Sequence, residues 1–447
     1  MPLESQLSAV LASRQQRSMY RRLITNLPNS IDFSSNDFLG LSRNETFKSL
    51  FLDELAAFLH PPLGSTGSRL LEGNSPYAEQ LESDIARFHN AETALLFNSG
   101  FDANSGFFAC VPRPGDVVLY DEFIHASVHE GMRMSRAGLL RAFRHDDVGE
   151  LERTVREVVE EDRGKKATDR RNVFIAVETV YSMDGDVAPL TEIVEVVKKF
   201  WPSGGNGYIV VDEAHATGIY GQQGRGVVCE LGLEAFIFAR LHTFGKALAS
   251  SGAVMLCSET TKNYLINYAR PLIYSTFLSY SSLASIKCAY QMLSEGKTEE
   301  VGFVVLVTDV TSRFDYIDST IDVYHQLQRH VHALTRRFRE AVGAKLPREV
   351  LLTSTSPIQG IVLQGNLPVR TLAANLNHLG YIVKPIASPT VPMGRERVRI
   401  CLHGHNTVEE VDRLVNAIHA FFVGDEGKKI LEDMGAGTRK DGVLAML

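Results

Sequence analysis

Cysteine is sparse and scattered. The five residues Cys110, Cys229, Cys257, Cys288 and Cys401 are odd in number and form no CxxC pair. That spacing excludes a disulfide framework and a zinc knuckle, and it fits a reducing compartment. Long apolar runs are missing too: nowhere does the chain reach the ~18 consecutive apolar residues of a membrane-spanning helix. The opening MPLESQLSAVLASRQQRSMY lacks the apolar centre of a secretory signal. Positive charge is not in excess, with 46 Lys plus Arg against 53 Asp plus Glu and a formal net charge of −7. A nucleic-acid partner would call for clustered basic residues, so none is expected. No internal repeat is present. The expectation is an intracellular protein with neither membrane nor nucleic-acid partner, placed in the cytoplasm. The ending Ala445-Met446-Leu447 is only loosely similar to a peroxisomal tripeptide, because the basic middle residue is missing.

What is there reads as globular: 447 residues, 44% hydrophobic and 22% charged, enough for about three average domains or two large ones. Short apolar runs at Thr93–Phe97, Val117–Tyr120, Val173–Glu178, Tyr208–Asp212, Phe236–Leu241 and Gly252–Leu256 predict buried strands. Helical spacing at Tyr77–His89 and Leu190–Phe200 alternates with them, which implies a mostly parallel sheet with helices on both faces. From about Ser285 the pattern changes. Ser294–Phe338 has no strand rhythm, and after it come predicted strands at Val350–Thr353, Ile358–Leu363, Tyr381–Val383 and Val398–Leu402. Helices are expected at Leu367–Leu379 and Val408–Phe422. The expectation is an α/β chain: an N-terminal segment over 1–50, a large domain over 51–285, a smaller α+β domain over 286–424 and a fraying polar tail over 425–447. The run EDRGKKATDRRN ending at Asn172 reads as a solvated surface connection.

Several chemically capable residues fall at the carboxyl ends of predicted strands, where open parallel sheets bind ligands. Asp212 ends one strand and His215 follows in Asp-Glu-Ala-His. Lys246 follows the next strand in Thr-Phe-Gly-Lys, and Asn98-Ser-Gly-Phe101 leads from a strand into a helix. A lysine near an apolar sheet can form an imine with an aldehyde. A carboxylate can pair with a pyridine nitrogen and keep it protonated. A Ser-Gly turn at a helix start offers N–H groups to a phosphate. Singly, each has a plainer explanation: a helix cap, a solvated charge, a packing histidine, a common turn. Together and in this order they describe a pyridoxal 5′-phosphate (PLP) site.

Nearly the whole chain resembles the α-oxoamine synthase family of PLP-dependent transferases of fold type I. The resemblance runs through Phe33-Ser-Ser-Asn-Asp-Phe-Leu-Gly-Leu41, Gly64-Ser-Thr-Gly-Ser-Arg69, Asn98-Ser-Gly-Phe-Asp-Ala-Asn104 and His125-Ala-Ser127. It continues in Tyr181-Ser-Met-Asp-Gly-Asp186, Asp212-Glu-Ala-His-Ala-Thr-Gly218, Thr243-Phe-Gly-Lys246, Ile273-Tyr-Ser-Thr276 and Pro389-Thr-Val-Pro392. It implies that Lys246 joins the cofactor covalently, Asp212 partners the pyridine nitrogen, His215 bonds the phenolic oxygen and His125 stacks on the ring. It further implies phosphate contacts from Gly100, Phe101 and Thr243, and cofactor contacts from Ser182, with the acid Glu178 nearby. Ser275 and Thr276 would reach a neighbouring subunit's phosphate, which implies a homodimer with shared sites. Arg399 would take the amino acid's carboxylate, with Thr390 and Arg21 also touching substrate; no metal is implied.

The implied reaction joins an amino acid to an acyl-CoA with loss of CoA and CO₂. Tyr181–Leu190 and Gly221–Gly226 look most like the branch on the route to biotin, which condenses alanine with pimeloyl-CoA or a carrier-protein thioester to give 8-amino-7-oxononanoate. Two departures leave the acyl chain open. Ala78 stands where many members carry a histidine, and Gly302–Gln328 looks like an insertion. The alternatives are a relative acting on another thioester with glycine or serine, an aminotransferase on the same fold, or a non-catalytic partner.

Overall fold

A computed structural model describes residues 2–17, 19–23, 25, 28–57, 62–166, 169–202, 204–295 and 323–444. Two compact units result, one formed by 37–181 with 187–330, the other by 1–36, 182–186 and 331–447.

The larger unit is built on seven strands. Their order across the sheet is Thr93–Phe97, Ala253–Cys257, Ile237–Thr243, Gly207–Asp212, Val173–Glu178, Val117–Asp121 and Leu139–Phe143. All neighbours run parallel except at Ala253–Cys257, which is antiparallel to the strand on each side. Every expected strand here is present within a residue or two. Leu139–Phe143 was not expected: it is the edge strand, and its middle residues Leu140, Arg141 and Ala142 are exposed, so it carries no apolar run.

Side chains alternate between two apolar layers, which is why the central strands read as unbroken hydrophobic runs. Val118, Phe174, Ala176, Val210, Ala239 and Leu241 face a core completed by Phe107 and Phe108 of the helix Gly100–Cys110. Val117, Leu119, Ile175, Val177, Ile209 and Val211 face the other, with Leu151 and Val155 of Val148–Glu161 and Ile193 and Val194 of Leu190–Phe200. Period two then fixes the strand ends. Glu178, Asp212 and Thr243 continue the register of Ala176, Val210 and Leu241, so all three belong to the first face.

In the smaller unit Lys384–Ile386, Arg397–Cys401 and Ile358–Val362 form an antiparallel sheet, and Ile31–Asp32 pairs with Tyr381–Ile382. Helices Asn366–His378 and Val408–Val423 cover a core of Phe33, Phe338, Leu372, Val398, Ile400, Val411 and Ile418. Thr407 and Glu410 form a reciprocal capping box at the start of the latter helix.

Several expectations meet a different structure. The run Val350–Thr353 contributes one isolated bridge, Leu351 to Ile361, after a 3₁₀ turn at Arg348–Val350. Ser294–Phe338 contains part of the helix Val323–Gly343, while 296–322, most of the insertion-like Gly302–Gln328, lie outside the described residues. The 425–447 stretch is helical over Asp425–Leu444, and Ile430, Leu431 and Met434 pack on the core of the smaller unit. Three apolar residues at helical spacing among charges suffice for docking, and composition alone hides them. Ala445-Met446-Leu447 lies outside the described residues. The expected boundary at 285/286 falls inside the helix Tyr280–Glu295, and the first 50 residues divide at 36/37 because Ile31–Phe33 belongs to the smaller unit's sheet and core. Among the described residues, no helix is long and apolar enough to cross a membrane.

Arg397 is almost wholly buried; it pairs with Asp184 and donates to the carbonyl oxygens of Met183 and Arg395. Removing its counter-ion strands a buried charge, which costs about 3–5 kcal/mol. Asp184→Ala is therefore expected to lower the unfolding free energy by about that amount in denaturant titration. A loss below about 1 kcal/mol, the size of a surface pair, would show that Asp184 does not hold the guanidinium.

Candidate functional site

The strand Gly207–Asp212 delivers a buried carboxylate to the end of the sheet. Asp212 Oδ1 accepts from the Ala214 N–H at 2.9 Å, and Oδ2 accepts from the Asn104 side-chain amide at 2.8 Å. Asn104 lies in the helix Gly100–Cys110, which starts directly after the strand Thr93–Phe97. Ser99 caps that helix by accepting from the Asp102 N–H at 3.0 Å, leaving Gly100 and Phe101 at its positive end. Phe101 is about half exposed.

Gly100 and Thr243 lie so close that a Cβ on Gly100 would come within 2.5 Å of Thr243 Cγ2. Thr243 Oγ1 is itself buried without a hydrogen-bond partner. A buried hydroxyl beside a helix N-terminus is suited to an anionic oxygen. Asn98 holds the neighbouring chain by donating to the Thr276 carbonyl at 2.7 Å. Ser275 there is half-buried and Thr276 exposed.

His125 is the N-cap of the helix Ala126–Met134, its Nδ1 accepting from the Ser127 N–H at 3.2 Å and lying 2.7 Å from Ser127 Oγ. Burial pushes its pKa down and the Lys246 charge adds to this, against the opposing pull of Asp212. Glu178, paired in register with Asp212, is fully buried, and burial followed by repulsion from Asp212 pushes its pKa well up. Lys246 works the other way on Glu178. His215 is buried in the turn after Asp212, its ring edge-on to Phe38 at 5.9 Å between centroids. Sheet and turns thus gather Asp212, His215, Glu178, Thr243, Gly100, His125 and Lys246 within the larger unit; the sequence pattern had singled out Asp212, His215, Lys246 and the Gly100 turn, and the family resemblance the others. It had not singled out Asn104 or Ser127, although both stand inside quoted motifs. Their signal was polarity on helices otherwise turned inward.

The smaller unit holds Ser182, Thr390, Arg21 and Arg399. Arg397 and Arg399 lie on one face of a strand, but only the first is saturated with partners. Arg399 is buried, donates to Asn36 Oδ1 at 3.0 Å and keeps its Nε without a hydrogen-bond partner. A guanidinium edge left unsatisfied suits a carboxylate. Ser182 is half-buried, Thr390 is exposed and its N–H bonds the Ala387 carbonyl, and Arg21 is exposed outside any helix or strand. A cleft of about 680 Å³, lined among others by Trp201, Tyr208 and Phe236, opens at the amino ends of the strands Gly207–Asp212 and Ile237–Thr243, the opposite end of the sheet from Asp212 and Thr243.

Residues 28–418 match the family model for aminotransferase class I and II. The chain belongs to that family. Within it, the chain is 49% identical over 424 residues to the 8-amino-7-oxononanoate synthase of Emericella nidulans, covering 93% of this chain and 95% of the relative. It is 37% identical to the aminoacyl transferase sphA of Byssochlamys spectabilis, covering 88% and 81%. Among solved structures, serine palmitoyltransferase from S. paucimobilis with bound PLP–myriocin superposes with a TM-score of 0.77 at 22% identity, over 96% of this chain and 99% of that one. The 8-amino-7-oxononanoate synthase of Francisella tularensis gives 0.64 at 24%, over 88% and 97%. The fold is that of the type I PLP transferases, and the chain is a PLP-dependent acyltransferase of the α-oxoamine synthase kind. PLP is its cofactor, and the residues fit it: an orphaned buried hydroxyl at a helix start, a doubly bonded carboxylate at a strand end and a lysine one turn beyond.

Two outcomes follow. A methyl at residue 100 must displace Thr243, so Gly100→Ala is expected to weaken PLP binding to the apoprotein roughly tenfold or more by absorbance titration; unchanged binding would move the phosphate elsewhere. The second concerns Glu213, buried beneath the Asp212 turn, where burial raises its pKa from 4.5 to about 7. The folded state then holds that proton more tightly than the unfolded chain. The contribution is fully present below pH 4.5 and lost as pH rises through 7. Thermal melts of Glu213→Gln should show a flatter stability profile than the parent across that window, and parallel profiles would contradict the assignment.

Proposed function

We propose that this protein condenses alanine with pimeloyl-CoA, releasing CoA and CO₂ to give 8-amino-7-oxononanoate. The 49% identity to the Emericella nidulans enzyme over nearly the full length of both chains is what carries this reading. Bound PLP supplies an electron sink for charge at the amino acid's α-carbon, which permits bond formation to the thioester carbonyl and loss of the carboxylate.

The protein's own groups do the rest. Asp212 would take the pyridine N–H and His215 the phenolic oxygen. The N–H groups of Gly100 and Phe101, with Thr243 Oγ1, would hold the phosphate. Lys246 Nζ would hold the cofactor's aldehyde carbon and, freed when the amino acid's amine takes its place, would accept the substrate's α-proton. Burial pushes the Glu178 pKa well up, which favours its neutral acid beside Asp212. Ser182 would contact the cofactor and His125 would cover its ring. Arg399 binds the alanine carboxylate through its two-pronged edge, with Thr390 and Arg21 as further substrate contacts. The proposal includes a homodimer in which Ser275 and Thr276 reach the partner's phosphate, and it places the enzyme in the cytoplasm.

One observation favours a second reading. The 37% identity to an aminoacyl transferase sphA, together with Ala78, leaves room for a different thioester or amino acid. Crossing alanine, glycine and serine against acyl-CoA thioesters of increasing length separates the two, with free thiol, CO₂ and product mass as readouts. Alanine with pimeloyl-CoA is expected to release both thiol and CO₂ fastest. Faster turnover of serine or glycine with another thioester would replace the reading, and pyridoxamine phosphate with no thiol release would mark an aminotransferase.

Arg399→Ala should raise the KM for alanine roughly 30-fold or more, the cost of leaving a carboxylate without its charged partner, while PLP affinity stays within about threefold. Equal loss of both would assign Arg399 to the fold.

A further inference from the structure

We propose that Asn104 and Ser127 are positioning residues that hold His125 as a neutral imidazole with its proton on Nε2, and that they tie its orientation to Asp212. The inference rests on the PLP-site reading above and concerns residues to which that reading gives no task.

Donors and acceptors settle the direction of each bond. Asn104 Nδ2 carries two hydrogens and lies within reach of two acceptors, Asp212 Oδ2 at 2.8 Å and Ser127 Oγ at 3.0 Å. Asp212 as a carboxylate can only accept, so the amide must present its nitrogen to this side. Ser127 Oγ receives one of those hydrogens, and its own hydrogen is then directed at His125 Nδ1, 2.7 Å away. The Ser127 N–H points at the same nitrogen from 3.2 Å. Two donors converge on Nδ1, so that atom carries the lone pair and the proton of the neutral ring sits on Nε2. An imidazolium would set a third hydrogen against both donors.

Burial makes this arrangement matter. Asn104 and Ser127 are 2% and 0% exposed, so water cannot substitute for either partner. Their helices can approach this closely because residue 131 is glycine: a Cβ there would meet Phe108 Cβ at 2.8 Å and the Ser105 carbonyl at 2.9 Å. Two helices of the larger unit are thereby locked so that one continuous path of hydrogen bonds runs from Asp212 to His125. His125 is consequently a fixed N–H donor at Nε2 and does not serve as the base.

The test is nitrogen-15 NMR of [¹⁵N]histidine-labelled full-length protein, with the His125 signals assigned by their loss in His125→Asn. The parent is expected to show Nδ1 unprotonated and Nε2 protonated. Ser127→Ala and Asn104→Ala should each give a mixture of tautomers and lower kcat about five- to tenfold, with the KM for the amino acid within about twofold. Ser127→Thr, which keeps the hydroxyl, should restore both. A parent protonated at Nδ1 would overturn the proposal, as would an Asn104→Ala spectrum identical to the parent's or a Ser127→Thr variant indistinguishable from Ser127→Ala. The spectra are recorded with and without PLP. A chain that takes up no cofactor would sink the functional reading, whereas the His125 assignment stands or falls on its own resonances.

Discussion

The site depends on one carboxylate delivered to the end of a buried strand and prevented from moving. Asp212 has two oxygens and each has a fixed donor, the Ala214 N–H and the Asn104 amide. A side chain held from two directions cannot swing toward solvent when a cationic ring nitrogen arrives, so little reorganisation remains to be done at binding. Strand order then brings every other group to it. Because the neighbouring strands run parallel, Glu178 emerges opposite Asp212 and Thr243 two residues past Asp212's partner Leu241, all on the same face, and the loops that follow carry His215 and Lys246.

Crowding ionisable groups into a low-dielectric pocket is costly unless their charges are apportioned. The apportioning is visible here. Burial drives Glu178 toward its neutral acid and His125 toward its neutral base, so neither adds charge beside the Asp212 carboxylate. Asp212 and Lys246 are then the groups left to meet the ring nitrogen and the aldehyde. The smaller unit follows the same principle with its arginines: Asp184 consumes the charge of Arg397, and Arg399 retains an unsatisfied edge.

Much of this was legible in the chain. The central strands are runs of branched and aromatic residues because both faces are covered, and such runs end where polar residues must reach the ligand, so Asp212 marked its own position, whereas Thr243 lies two residues past the predicted strand end and its phosphate role came from the family resemblance. The edge strand Leu139–Phe143 was hidden because an edge needs no apolar run, and the terminal helix was hidden because Ile430, Leu431 and Met434 are few among charges. Asn104 and Ser127 were illegible for a different reason. A buried polar residue on a helix has no periodic signature, and its role exists only once two helices lie side by side. The acyl-chain preference was not legible either, since it depends on pocket shape and not on any motif.

The most direct measurement is the protonation state of the cofactor's own ring nitrogen, read by nitrogen-15 NMR after reconstituting the apoprotein with PLP labelled at that atom. The account predicts a protonated pyridine nitrogen in the parent and an unprotonated one in Asp212→Ala. The same state in both proteins would contradict it, because the carboxylate at the strand end would then not be what primes the ring.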